Sequence, residues 1–119
     1  MHEASAAESL VRIVAEEAGK RGATRVKTVR LVVGESTGYM EESLAFYVGV
    51  LGKGSPVEGA TLDVSYVKPK LRCPACGDLF ERVRFSFECP TCGALGEATK
   101  IGREFYVDAI ELDLTGDER

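Results

Sequence analysis

The chain has 119 residues, 15 basic and 19 acidic, for a net charge of −4, with four cysteines, no tryptophan and a single histidine. That length fits one domain with a small appendage, and no apolar run reaches the roughly 20 residues of a membrane span. The acidic balance argues against general nucleic-acid binding, which depends on phosphate neutralisation by Lys and Arg. One histidine excludes sites that need two, such as H-E-x-x-H or a Cys2His2 finger.

The first segment reads as an amphipathic helix. Leu10, Ile13, Val14 and Ala18 recur at helical spacing, with Ala6 and Ala7 a turn earlier. The opposite face carries Glu8/Arg12, Glu16/Lys20 and Glu17/Arg21 in the favourable i,i+4 order. Ser5-x-x-Glu8 has the form of a capping box, with a start nearer Glu3 as the alternative, and Gly22 is the expected stop. A valine-rich strand follows over 25–33, then a loop from Gly34 to Gly38. A second helix is predicted over 41–51, with Met40, Leu44, Tyr47, Val48 and Leu51 on one face and Gly52 at its end.

Lys53–Gly59 reads as a turn, and 60–67 as a strand with Ala60, Leu62, Val64 and Tyr66 facing one way. A last strand is predicted over 104–114, ahead of a polar tail. This order gives an α+β fold, with two helices on a three-stranded sheet and the cysteine segment inserted before the last strand.

Cys73-Pro-Ala-Cys76-Gly77 and Cys89-Pro-Thr-Cys92-Gly93 are two copies of one knuckle, C-P-x-C-G. Each pair sits on a tight turn where both sulfurs reach one ion, and the following glycine is expected to let backbone N–H groups point at the thiolates. Four thiolates in tetrahedral array select zinc, with a rubredoxin-like iron left open by spacing alone. All four positions are filled, so the site reads as a structural zinc ribbon and not a catalytic one. Two disulfides are disfavoured in a cytosolic chain. Phe80, Val83, Phe85 and Phe87 are too few for an independent core and are expected to pack under the metal, which would supply the folding energy. A nucleic-acid-binding ribbon is the rival reading, because residues 68–92 hold five basic and three acidic side chains.

Met1-His2-Glu3 holds the only histidine. A residue at a chain end is ordinarily without function. Yet an α-amine, backbone amides and a neighbouring imidazole together offer nitrogen donors for a square-planar ion such as Ni(II) or Cu(II). Glu3 would add a carboxylate or tune the charge; alternatively it is a favourable acid in a first helical turn. No nucleophile–base pair and no phosphate-binding glycine loop is present, so an enzyme is not expected.

Taken together, the sequence resembles the HypA/HybF family, the nickel metallochaperones of [NiFe]-hydrogenase maturation. The resemblance runs through Met1-His2-Glu3, Val29–Glu35, Ser43–Phe46, Lys53–Ala60, the two knuckles, Gly102–Phe105 and Ile110–Leu112. It implies Ni(II) held by His2 with the Met1 amine and nearby backbone amides, and Glu3 in support. It implies Zn(II) on Cys73, Cys76, Cys89 and Cys92. It also implies a partner GTPase of the HypB type and delivery to the hydrogenase large subunit, with no membrane or nucleic-acid partner; some relatives also serve urease. On this reading residues 1–67 with 101–119 form the nickel-binding α+β domain, and 68–100 the zinc ribbon. Met40 departs from the acidic residue the family often carries there, which puts a carboxylate from that loop in doubt. Ser36 replaces a common hydrophobic residue. The second reading is a zinc-ribbon binding module, for nucleic acid or protein, with His2 incidental. The N-terminus lacks the basic-then-apolar layout of a signal peptide, so a cytoplasmic location is expected.

Overall fold

The structure, a computed structural model, describes residues 3–82 and 85–114. Its elements in chain order are helix α1 (Glu3–Lys20), strand β1 (Arg25–Gly34), a 3-10 turn (Glu35–Thr37) and helix α2 (Glu41–Leu51). Strands β2 (Thr61–Val67), β3 (Leu71–Arg72), β4 (Leu79–Phe80), β5 (Glu97–Ala98) and β6 (Phe105–Asp113) follow. The fold is α+β, with the predicted three-stranded sheet in the order β2-β1-β6. A second sheet, β4-β3-β5, lies within the cysteine segment. Both of its pairings are antiparallel, with Leu71 opposite Phe80 and Ala98. Its strands are two residues long, too short to show any hydrophobic period.

The chain divides into two compact units. The first takes the described residues of Met1–Leu31, Tyr39–Ser65 and Tyr106–Arg119; the second takes Val32–Gly38 and those of Tyr66–Phe105. In the first unit α1 packs against α2. The buried face of α1 is Ala7, Leu10, Val11, Val14 and Ala18, so the stripe runs through Val11. Ile13, expected inside, is 50% exposed, because it lies on the flank of a 7-11-14-18 row. The helix starts at Glu3, so Ser5 lies within it and is not its cap. It ends with Gly22 and Ala23 donating to the carbonyls of Gly19 and Ala18, the paired closure that satisfies orphan carbonyls at a helix C-terminus. Of the three i,i+4 pairs, only Glu17–Arg21 closes among the described residues, at 2.7 Å.

On α2, Leu44 and Val48 are buried, while Met40 and Leu51, expected on the same face, are exposed. Met40 is the N-cap and Leu51 the last residue of α2, so both lie at its ends. Val26, Val29 and Leu31 of β1 and Val57 complete this core. Fully burying such side chains contributes about 1.5–3 kcal/mol each. In β2 the expected alternation runs from Thr61 to Ser65 and then breaks, leaving Tyr66 exposed. In β6 the half-buried side alternates from Phe105 to Ala109 and changes phase at Ile110.

Within the second unit, three backbone segments come close. Gly34 donates to the Glu104 carbonyl and Ser36 to that of Gly102, at 2.7 and 2.8 Å. A side chain at Gly34 would overlap the Gly102 carbonyl, and one at Gly102 would lie 2.5 Å from the Pro69 Cα. Gly102 also has φ +101°, a conformation that strongly favours glycine.

Candidate metal centre

The two knuckles fold alike. The Cys73 amide donates to the Asp78 carbonyl and the Cys89 amide to that of Ala94, each at 2.8 Å. Gly77 and Gly93, at φ +82° and +83°, turn their amides back onto the Cys73 and Cys89 carbonyls. The glycines are expected to let neighbouring backbone amides reach the sulfurs. Backbone amides do point at sulfur: Cys76 N–H to the Cys73 sulfur and Thr91 N–H to the Cys89 sulfur, each at 3.4 Å, with the amides of Asp78 and Ala94, just past the glycines, bonding to the Cys76 and Cys92 sulfurs. The glycines close the turn that makes this possible.

These turns bring Cys73, Cys76, Cys89 and Cys92 together, with all four ligand atoms within 4.8 Å of one another. Across the knuckles, Cys73 and Cys92 sulfurs are 3.3 Å apart, and Cys76 and Cys89 sulfurs 3.7 Å. Zinc–sulfur bonds of about 2.3 Å in a tetrahedron put the sulfurs about 3.8 Å apart, so the four residues fit one such ion. Cys73 and Cys89 are buried, and Cys76 and Cys92 exposed.

The electrostatics follow that division. The Cys76 amide, aided by the Cys92 thiol, lowers Cys73 to about 6 against the opposing effect of burial. Burial raises Cys89, but the Cys92 and Thr91 amides outweigh it and the net shift is downward. The Asp78 amide pulls Cys76 down, yet the Cys73 sulfur, burial and the other thiols push it up to about 12. Cys92 is likewise raised, with the Ala94 amide overcome chiefly by Cys73 and burial. In each knuckle the first cysteine is thus lowered and the second raised, and the sulfurs pair across the knuckles, Cys73 with Cys92 and Cys76 with Cys89. Binding of a soft dication requires the thiolate form and displaces the remaining thiol protons.

Around this cluster the packing is thin. Phe80 is buried against Cys73 and Cys89, with Leu71 and Ala94 partly buried beside them. The other aromatics do not pack under the cluster as expected: Phe85 is 91% exposed and Phe87 48%. Phe85 has φ +58°, uncommon for a bulky residue. Val83 lies outside the described residues.

Met1 and His2 also lie outside the described residues. Glu3 is the first residue of α1, and its Oε2 accepts the Met40 backbone N–H at 2.6 Å. Met40 is the N-cap of α2, and its carbonyl accepts from Leu44. One carboxylate therefore sits at the start of both helices, where their positive dipole ends favour it. No sequence signal couples positions 37 apart; the contact needed the two helices to be docked. Among the described residues no helix is long and apolar enough to cross a membrane.

A mixed α+β architecture with paired C-P-x-C-G knuckles gathering four thiolates defines a small metal-binding protein. Residues 1–112 match the family model described as hydrogenase/urease nickel incorporation, metallochaperone, hypA, and the chain belongs to this HypA family. It is 42% identical over 114 residues to the hydrogenase maturation factor HypA of Caldanaerobacter subterraneus subsp. tengcongensis, covering 95% of this chain and 100% of that one. It is 34% identical over 113 residues to the HypA of Chlorobaculum parvum, with 95% and 100% covered. Among solved structures it is similar to a HypA protein in solution, at TM-score 0.71 and 25% identity over 95% of this chain and 97% of that one. It is also similar to the solution structure of the Ni metallochaperone HypA from Helicobacter pylori, at TM-score 0.64 and 25% identity over 94% and 97%. By its description the family is one of metal carriers, not of catalysts.

Proposed function

We propose that the protein binds Ni(II) at its N-terminus and delivers it for [NiFe]-hydrogenase maturation. The observation that carries this reading is the match of residues 1–112, beginning at Met1, to a nickel-incorporation family. The Met1 amine, the His2 imidazole and adjoining backbone amides are the donors, in the square-planar arrangement Ni(II) accepts. Glu3 supports the site. Its hydrogen bond to Met40 favours a role in holding the start of α1 in place.

Residues 1–67 with 101–119 act as the nickel-binding domain and 68–100 as the zinc ribbon, in which Cys73, Cys76, Cys89 and Cys92 hold Zn(II). Zinc there supplies folding energy to a segment with little apolar core. The protein works in the cytoplasm with a HypB-type GTPase and the hydrogenase large subunit as partners, and performs no catalysis of its own.

A carrier must bind and release. Imidazole and α-amine protons, with ordinary pKa values of about 6.5 and 7.7–8.0, compete with nickel near neutral pH. Nickel affinity therefore falls as pH drops from 8 toward 6. Calorimetry on the native N-terminus, on a form extended before Met1 and on His2→Ala decides the matter. Extension or His2→Ala abolishes tight nickel binding and leaves zinc content intact. Equal tight binding by the extended form overturns the N-terminal site.

A further inference from the structure

A cavity of about 480 Å³ opens on the second unit, lined by parts of the 3-10 turn, residues 68–71, Glu81, Arg82 and Phe87, and residues between Ala98 and Arg103. Four of its lining residues are cations, Lys68, Lys70, Arg82 and Arg103, against two carboxylates, Glu35 and Glu81. The lining thus carries 4 − 2 = +2 on a chain whose net charge is −4. Among the described residues, none of the four cations has a carboxylate within 4.0 Å. The Arg82 guanidinium lies over the Phe87 ring, 5.0 Å from its centroid. A cation held over an aromatic ring in this way keeps N–H groups available to a carboxylate. Leu71 and Ile101 give the cavity apolar lining as well.

The volume is within the roughly 300–1,000 Å³ of ligand pockets, and the chemistry is mixed in a particular way. Unneutralised cations call for an anionic ligand. A run of phosphates would leave Leu71, Ile101 and Phe87 unused. A peptide with carboxylates on either side of an apolar side chain uses both parts of the lining. We propose that this cavity is a docking site for an acidic segment of a partner protein, its carboxylates on Lys68, Lys70, Arg82 and Arg103 and its apolar side chain against Leu71, Ile101 and Phe87. This site shares no residue with the proposed nickel donors, and the proposal does not depend on them.

The test uses the full metal-loaded chain and a fluorescein-labelled peptide, Asp-Glu-Leu-Glu-Asp, followed by fluorescence anisotropy. Saturable binding is expected, weakened by added salt. The pair Arg82→Glu with Arg103→Glu weakens it about tenfold or more, equivalent to about 1.4 kcal/mol. Lys68→Gln with Lys70→Gln gives a smaller loss in the same direction. Metal content and nickel affinity of each variant stay at the native level. If the charge-reversed pair loses metal, the lysine pair alone decides. No saturable binding, binding unchanged in the variants, or binding of ATP but not of the peptide each overturns the proposal.

Discussion

In the first unit, Ala7, Leu10, Val11, Val14 and Ala18 of α1 meet Leu44 and Val48 of α2, with Val26, Val29, Leu31 and Val57 closing the core. In the second unit, the buried cluster around the thiolates amounts to Cys73, Phe80 and Cys89. One region has the aliphatic area to fold on its own; the other has two-residue strands and four sulfurs in its place. The contrast teaches that burial fractions cannot be compared across the molecule. Half-exposed aromatics occur in both units, Phe46 and Tyr106 in the first and Phe87 in the second, but only in the second would a bound metal take the place of an apolar core.

The largest test of this contrast removes a ligand. Structural four-thiolate sites contribute on the order of 10 kcal/mol to folding. Cys73→Ser, or strong chelation, is expected to strip the metal and abolish amide protection at Leu71, Phe80 and Ala98, while amides of Leu10, Val14 and Leu44 stay protected. Metal analysis with hydrogen exchange reads both. Full metal occupancy in Cys73→Ser would break the four-thiolate assignment, and loss of protection everywhere would break the independence of the two cores.

The converse change is Leu44→Ala, at a fully buried position. It should cost about 2–5 kcal/mol in chemical denaturation and leave metal content unchanged. Gly102→Ala sharpens the comparison from inside the second unit. It adds a Cβ 2.5 Å from the Pro69 Cα at φ +101°, for a cost of about 1–3 kcal/mol. Metal-loaded protein should show that loss in thermal unfolding. No loss would mean the metal alone determines the stability of this unit.

The smallest effect is at the surface of α1. The hydrogen bond from Arg21, then its charge, holds Glu17 below its ordinary 4.5. A carboxylate lowered in the folded state adds stability above its ordinary value, and that contribution disappears as pH falls below it. Both side chains are well exposed, at 64% and 40%, so solvent screens the pair. Arg21→Ala should shift the melting temperature slightly at pH 7, and by less as pH falls through the lowered Glu17 value. A large shift at pH 7 would show that Arg21 does more than pair with Glu17.

The long elements were legible because they carry a period. The expected bounds of α2 are those observed, and those of β1, β2 and β6 differ by a residue at one or both ends. The four-cysteine cluster was legible from spacing, since C-x2-C fixes each pair within a single turn. Faces were harder. Ile13, Met40 and Leu51 fit a helical stripe, yet Ile13 lies on the flank of the buried row and Met40 and Leu51 at the two ends of α2, and a period does not report where the neighbour ends. The second sheet was not legible, because two-residue strands depend on the knuckles to hold them in register. The approach of Gly34, Gly102 and Pro69 joins three distant segments, as does the contact of Glu3 with Met40. Such contacts exist only after folding.

That last contact bears on which residues position 40 tolerates. Glu3 grips the backbone N–H of Met40, not its side chain, and the side chain is 58% exposed. The tether between the two helix starts is therefore indifferent to the chemistry at this position. An acid, an amide or a thioether keeps it equally, and proline alone, lacking the N–H, removes it. Drift at position 40 is thus permitted without loosening the start of α1. A methionine at position 40, where an acid would also fit, leaves the mechanical link intact and puts no charge beside it.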